Sequence, residues 1–184
     1  MIKELKNVFY QQPTPLLLLQ PSYLYARHRR SSGKSGTAGP QGPQGPQGEA
    51  PDDSFASFGL YQGLFTPGSL IPMYPDITDP TGNIVSTDPE HISLAPGYYL
   101  VSYKVSALFN SPNYMQVTPF YNGTAHLDKG TYFATTANGA SADGSAFMII
   151  KVTSPTEFSL NYSGSGTARD GQVNITFLKL NSPL

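Results

Sequence analysis

The 184-residue chain contains no cysteine. No disulfide staples the fold, and no thiolate can serve as a nucleophile or metal ligand. Charge is sparse as well, with 12% of residues being Asp, Glu, Lys or Arg. It is also unevenly spread: residues 1–50 hold six Lys/Arg and two acids, whereas residues 51–184 hold five Lys/Arg and ten acids. The mildly acidic C-terminal part lacks the basic face that a nucleic-acid partner requires. Long apolar runs are missing too. The leucines at 16–19, bounded by Pro13, Pro15 and Pro21, are too few for a membrane span or a secretory core. The cationic cluster Arg27, His28, Arg29 and Arg30 follows them, where a signal peptide would need it in front. Neither a membrane span nor a cleavable signal is expected.

Grouped catalytic chemistry is absent in the same way. His28, His91 and His126 are scattered, and no two have metal-ligand spacing. Ser141, Asp143 and Ser145 form no Gly-x-Ser-x-Gly elbow and have no histidine partner in view. Asp76, Asp79, Asp88 and Glu90 carry the oxygens calcium takes, but their spacing matches no calcium loop, and solvated turn acids are the plainer account. The chain is expected to be no enzyme and to hold no cofactor and no metal.

What is present begins with glycine. Residues 33–50 read GKS GTA GPQ GPQ GPQ GEA, six triplets with Gly33, Gly36, Gly39, Gly42, Gly45 and Gly48 in first place. Three polyproline-II strands wound together leave no room at their axis for a Cβ, so this period is a collagen signal. Pro40, Pro43 and Pro46 preset φ in the second positions. A flexible Gly/Pro/Gln linker shares the composition without needing the strict period. Six triplets make a rod of roughly 50 Å at a rise of about 3.1 Å per residue. Such a strand is useless alone, so the tract predicts a homotrimer. The resulting division is 1–32 as a disordered or anchoring segment, 33–50 as a collagen-like stalk and 51–184 as a head.

The head reads as strands. It is rich in Tyr, Phe and Gly, a mix that favours strands joined by tight turns. From 98 to 109, Tyr99, Val101, Tyr103, Val105 and Ala107 share one face while Ser102, Lys104 and Ser106 share the other, the alternation of a half-buried strand. Residues 75–90 are turn chemistry throughout and read as a long surface connection. Asn122-Gly123 marks a hairpin between strands at 115–121 and 124–127. A strand at 131–135, a small-residue loop at 137–144, and strands at 147–152, 157–162 and 173–180 follow, with a loop at 164–171. The 147–152 strand is apolar on both parities, Phe147 and Ile149 on one and Met148, Ile150 and Val152 on the other. A strand of that kind is covered on two sides, by the core or by another subunit. The fold class is an all-β sandwich. Candidates for core or trimer contact are Tyr99, Val101, Tyr103, Val105, Phe147, Ile149, Ile150, Ile175 and Phe177.

The triplet tract, the stretch Ile92-Ser-Leu-Ala-Pro-Gly-Tyr-Tyr-Leu-Val-Ser-Tyr103, the strand ending Tyr121-Asn-Gly123 and the closing Asn174-Ile-Thr-Phe-Leu-Lys-Leu180 together resemble bacterial collagen-like surface glycoproteins of spores. Their C-terminal domain is similar to the C1q and tumour-necrosis-factor jelly roll. The resemblance spans about residues 33–184 and implies a ten-strand jelly roll that trimerises around a threefold axis, registers the collagen stalk and is projected outward by it. It also implies an exosporium-like spore or cell-surface location, and O-glycans at Ser35 or Thr37. The stalk is far shorter than in long spore filaments, and the leader departs from the targeting motif of that family. The sequons at Asn122, Asn161 and Asn174 mean little in a bacterial chain; the turn explains Asn122 and strand alternation Asn174.

Two functions follow. One is a structural surface protein whose leader attaches it to a surface-layer anchoring protein or carbohydrate. The alternative is an adhesin or phage-virion fibre tip whose head recognises carbohydrate or a host protein, with Tyr114, Tyr121 and Tyr132 as exposed stacking surfaces.

Overall fold

The computed structural model describes Gly39, Gly45 and residues 53–184. The leader and the rest of the triplet tract, including Gly33, Gly36, Gly42 and Gly48, lie outside the described residues. In chain order the strands are β1 (Phe55–Phe65), β2 (Tyr74–Ile77), β3 (Ile84–Asp88), β4 (His91–Leu94), β5 (Gly97–Phe109) and β6 (Asn113–Tyr121). Then come β7 (Thr124–Ala125), β8 (Thr131–Thr135), β9 (Ala140–Val152), β10 (Thr156–Gly164) and β11 (Ala168–Leu180). One 3-10 turn, Leu127–Lys129, is the only helical element among the described residues.

The strands form two antiparallel sheets. One has the order β2-β1-β11-β5-β9; the other runs β3-β4-β10-β6-β7, with β8 also paired to β6. Sequence neighbours are therefore split between layers, and the central strands β11 and β10, adjacent in the chain, lie in opposite sheets. Alternation decides which side chains fill the space between. Tyr99, Val101, Tyr103 and Val105 from β5 and Ile175 and Phe177 from β11 point inward from the five-stranded sheet, and all are buried. Phe158, Leu160 and Tyr162 of β10 meet them from the other side. The Phe177 ring bridges the layers, edge-on to Phe158 at 5.0 Å and to Phe58 at 6.0 Å. Each such pair contributes about 0.5–1.5 kcal/mol beyond the area it buries.

The Asn122-Gly123 hairpin forms as its residues dictate. Both take positive φ, 50° and 71°, which matches the twist of the flanking strands. Three expectations are corrected. The expected loop at 137–144 is largely strand, since Ala140–Gly144 pairs with Val105–Phe109 of β5. Its small residues serve packing: a Cβ on Gly144 would collide with the Phe133 ring of β8. The expected loop at 164–171 is also partly strand. Asp170 takes φ 50° at a register shift in β11, and Gly171 lies where a Cβ would meet the buried Phe65 ring at 2.5 Å. The 75–90 connection contains β2 and β3, and with β7 the strand count reaches eleven rather than ten.

Candidate functional site

Alternation that fills the core with one parity leaves the other parity of the five-stranded sheet facing outward. Polar residues occupy part of that face: Ser102 and Lys104 on β5, Asn174 and Thr176 on β11. At the end of the sheet where β1 begins, the pattern changes. Strand register places Ile149 opposite Leu100, Leu100 opposite Leu178, and Leu178 opposite Phe55. Four strands thus contribute one apolar side chain each to a single transverse row. Phe147 flanks the row on β9 and Tyr98 flanks it on β5, with Lys151 Nζ 5.4 Å from the Tyr98 ring centre. Phe147 is 69% exposed and Ile149 60%. Apolar surface massed in this way on a folded domain marks a contact surface.

The expected site residues therefore divide. Tyr99, Val101, Tyr103, Val105, Ile150, Ile175 and Phe177 are core. Phe147 and Ile149 are not core; β9 is the sheet edge, and its outward parity has no second layer over it. Phe55, Leu100 and Leu178 were missed as members of the same face. The signal for Leu100 was present in its parity, since it alternates with Tyr99 and Val101 and lines up with Ser102. Gly39 and Gly45 are exposed, and a Cβ built on either meets nothing within 4 Å.

The turn acids have defined jobs. Asp79 is buried, and its carboxylate accepts hydrogen bonds from Ser54 Oγ (2.9 Å), Thr81 N (3.0 Å), Asn83 N (2.9 Å) and Ile84 N (3.0 Å). Burial pushes against its charge, but the bonds from Thr81, Ser54 and Ile84 more than offset that and hold the carboxyl below the ordinary carboxylate range. Solvated turn acid is thus the wrong description of Asp79. Its network locks the β2–β3 turn to Ser54, the residue before β1, and Lys179 completes the tie by donating to Asn83 Oδ1 at 2.6 Å and to Ser54 O through its backbone N at 2.8 Å. Asp88 caps the β3–β4 turn through Glu90 N and His91 N and accepts from His91 Nδ1 at 2.9 Å. Among the described residues no group of three His, Asp or Glu side chains is gathered to hold a metal.

Of the three tyrosines expected to be exposed, Tyr114 and Tyr132 are, stacked on each other at 6.0 Å. Tyr121 is instead buried between the His126 and Phe158 rings. Tyr99 and Tyr103 are pushed up to about 12 by burial, Tyr99 also by the nearby Asp79 charge. Their hydroxyls donate to Ala95 O and Lys129 O at 2.7 and 2.8 Å.

The two-sheet topology is that of the C1q/TNF-like jelly roll. The globular domain of zebrafish complement 1qA protein matches with a TM-score of 0.54 at 6% identity, over 72% of this chain and 100% of that one. Eiger TNF from S. frugiperda matches with a TM-score of 0.56 at 12% identity, over 72% of this chain and 95% of that one. No family model and no curated protein matches the sequence. Identities this low establish the fold and leave the function to the chemistry of the surface.

Proposed function

We propose that residues 51–184 are one third of a homotrimeric head that holds three copies of the 33–50 tract in register as a short collagen-like stalk. The stalk displays the head at a bacterial spore or cell surface, with the leader attaching it to an anchoring protein or carbohydrate of that surface. The role is structural and involves no catalysis.

One observation carries the reading, the transverse row Phe55–Leu178–Leu100–Ile149 with Phe147 beside it. Fully burying a side chain of this size yields about 1.5–3 kcal/mol, whereas association costs about 4–15 kcal/mol in lost freedom. Phe147 and Ile149 alone offer about 3–6 kcal/mol, the low end of that cost, and the partly buried Phe55, Leu178 and Leu100 add area that carries the contact further into its range. Phe55 opens β1, so a contact built on the row brings the starts of three heads together. Among the described residues nothing lies within 4 Å of a Cβ built on Gly39 or Gly45. Sibling strands at a common axis would supply the crowding that makes glycine necessary there.

Sedimentation equilibrium of the full chain tests the proposal. A mass of three chains is expected, and a monomer with the apolar row left in water overturns it.

A further inference from the structure

The six-stranded sheet carries a separate feature on its outer face, a groove of about 480 Å³. Small-molecule sites occupy about 300–1,000 Å³. Strand parity builds the floor. Thr118 of β6 stands opposite Asn161 of β10, and Ser159 and Ser163 lie two residues to either side of Asn161. Phe120, register partner of Ser159, forms one wall, and Leu127 of the 3-10 turn extends it. Leu70, bridged to Asn161, forms the other, and His91 closes one end.

The floor carries hydroxyl and amide groups that open onto the groove. Ser159 is 3% exposed and Thr118 6%, but neither hydroxyl is a sealed, unpaired group, so both open to the groove's solvent. Hydroxyls in that position are served by water or by the polar groups of a ligand that displaces it. Asn161 Oδ1 accepts from Ser163 Oγ at 3.2 Å, while Asn161 Nδ2 makes only long contacts to Gly68 O and Ser69 O at 3.5 and 3.4 Å. His91 Nδ1 is engaged by Asp88, which leaves Nε2 without a partner among the described residues. Among the described residues no Lys, Arg, Asp or Glu lines the groove.

We infer that this groove binds a neutral carbohydrate of one or two pyranose rings. The lining matches such a ligand group by group. Ring hydroxyls pair with Thr118, Ser159 and Asn161, and the apolar C–H face of the ring packs on Phe120, which is partly exposed and free to receive it. An ionic ligand has no counter-charge here, and a purely apolar one leaves the floor hydroxyls unpaired. The inference does not rest on the trimer reading, because the apolar row lies on the other sheet.

The test is saturation-transfer NMR on the full chain with methyl glycosides of glucose, galactose, mannose and N-acetylglucosamine and their β-linked disaccharides. Transfer to ring C–H protons is expected from at least one sugar, lost in Phe120→Ala. Ser159→Ala and Thr118→Val should each weaken binding about three- to tenfold, the factor one neutral hydrogen bond supplies. Circular dichroism of the three variants should match wild type. Absence of transfer across the panel, or transfer indifferent to all three substitutions, overturns the inference. So does cyclohexanol binding as tightly as the sugars, which makes the groove an apolar slot. A drop in sedimentation mass on Phe120→Ala would make it an interface between copies and overturn it too, whereas failure of the trimer reading alone leaves the sugar signal intact.

Discussion

Ser54 donates its hydroxyl to the Asp79 carboxylate at 2.9 Å, joining the residue that precedes β1 to a turn 25 residues further along the chain. The bond is buried, and the same carboxylate organises the backbone N–H groups of Thr81, Asn83 and Ile84. The start of the head is thereby held against the sheet on which the apolar row lies.

That network carries a pH signature. The folded Asp79 carboxyl ionises below its ordinary value of 3.8, so its stabilisation is complete well above pH 3.8 and is lost as pH falls through the lower folded value. Asp79→Asn should lose about 2–3 kcal/mol at neutral pH, as expected for charge-assisted bonds. It should also flatten the decline of stability between about pH 5 and pH 2. Urea unfolding across that range measures both, and an Asp79→Asn curve parallel to wild type would refute the assignment.

Adjacent residues of β9 should respond in opposite ways. Ile149→Ser, on the open face, is expected to leave each domain folded while lowering the sedimentation mass from three chains to one. Ile150→Ala, in the core, should cost about 2–5 kcal/mol of domain stability. Sedimentation paired with thermal unfolding separates the two effects.

Gly42→Ala places a methyl group on each strand at the crowded axis of the proposed stalk. The polyproline-like circular dichroism signal should fall while the β signal of the head persists. An unchanged spectrum means the tract is no triple helix.

Removing residues 51–184 should abolish stalk assembly, because six triplets lack the contact area to offset the entropy of bringing three chains together. Light scattering on the remaining 1–50 peptide at micromolar concentration reads this directly. Trimers of the bare peptide would reverse the proposed order of assembly.

Burial pushes up the phenols of Tyr121 and Tyr162 as well, but the larger alkaline effects should come from Tyr99 and Tyr103. These two ionise near 12 in the folded chain against an ordinary value of 10.0, so the folded state is favoured in full below pH 10 and loses ground as pH rises toward 12. The loss is about 2–3 kcal/mol for each. An absorbance titration of the phenols should show a late step that shrinks in Tyr99→Phe and in Tyr103→Phe.

Local patterns made much of the head legible. The run Tyr99, Val101, Tyr103, Val105 declared its buried face by alternation, and Asn122-Gly123 declared its turn by the positive φ values that asparagine and glycine adopt at low cost. Small or turn-forming residues misled where packing required them. Gly144 is small because Phe133 lies across it, and Gly171 because Phe65 does. Asp79 looked like a solvated turn acid because nothing in its neighbours' identity reveals that Ser54 folds back onto it.

The sequence by itself determined the alternating face of β5, the Asn122-Gly123 hairpin, the strict glycine period and the absence of cysteine chemistry, because each depends on residue types within a few positions of one another. Only the tertiary structure decided which side of β9 stays in water, and that Phe55, Leu100, Ile149 and Leu178 form one row. It alone set Thr118 and Ser159 into one groove floor. The physical reason is register: hydrogen bonding between strands distant in the chain fixes which side chains become neighbours, and one residue of slip would send every one of them to the opposite face.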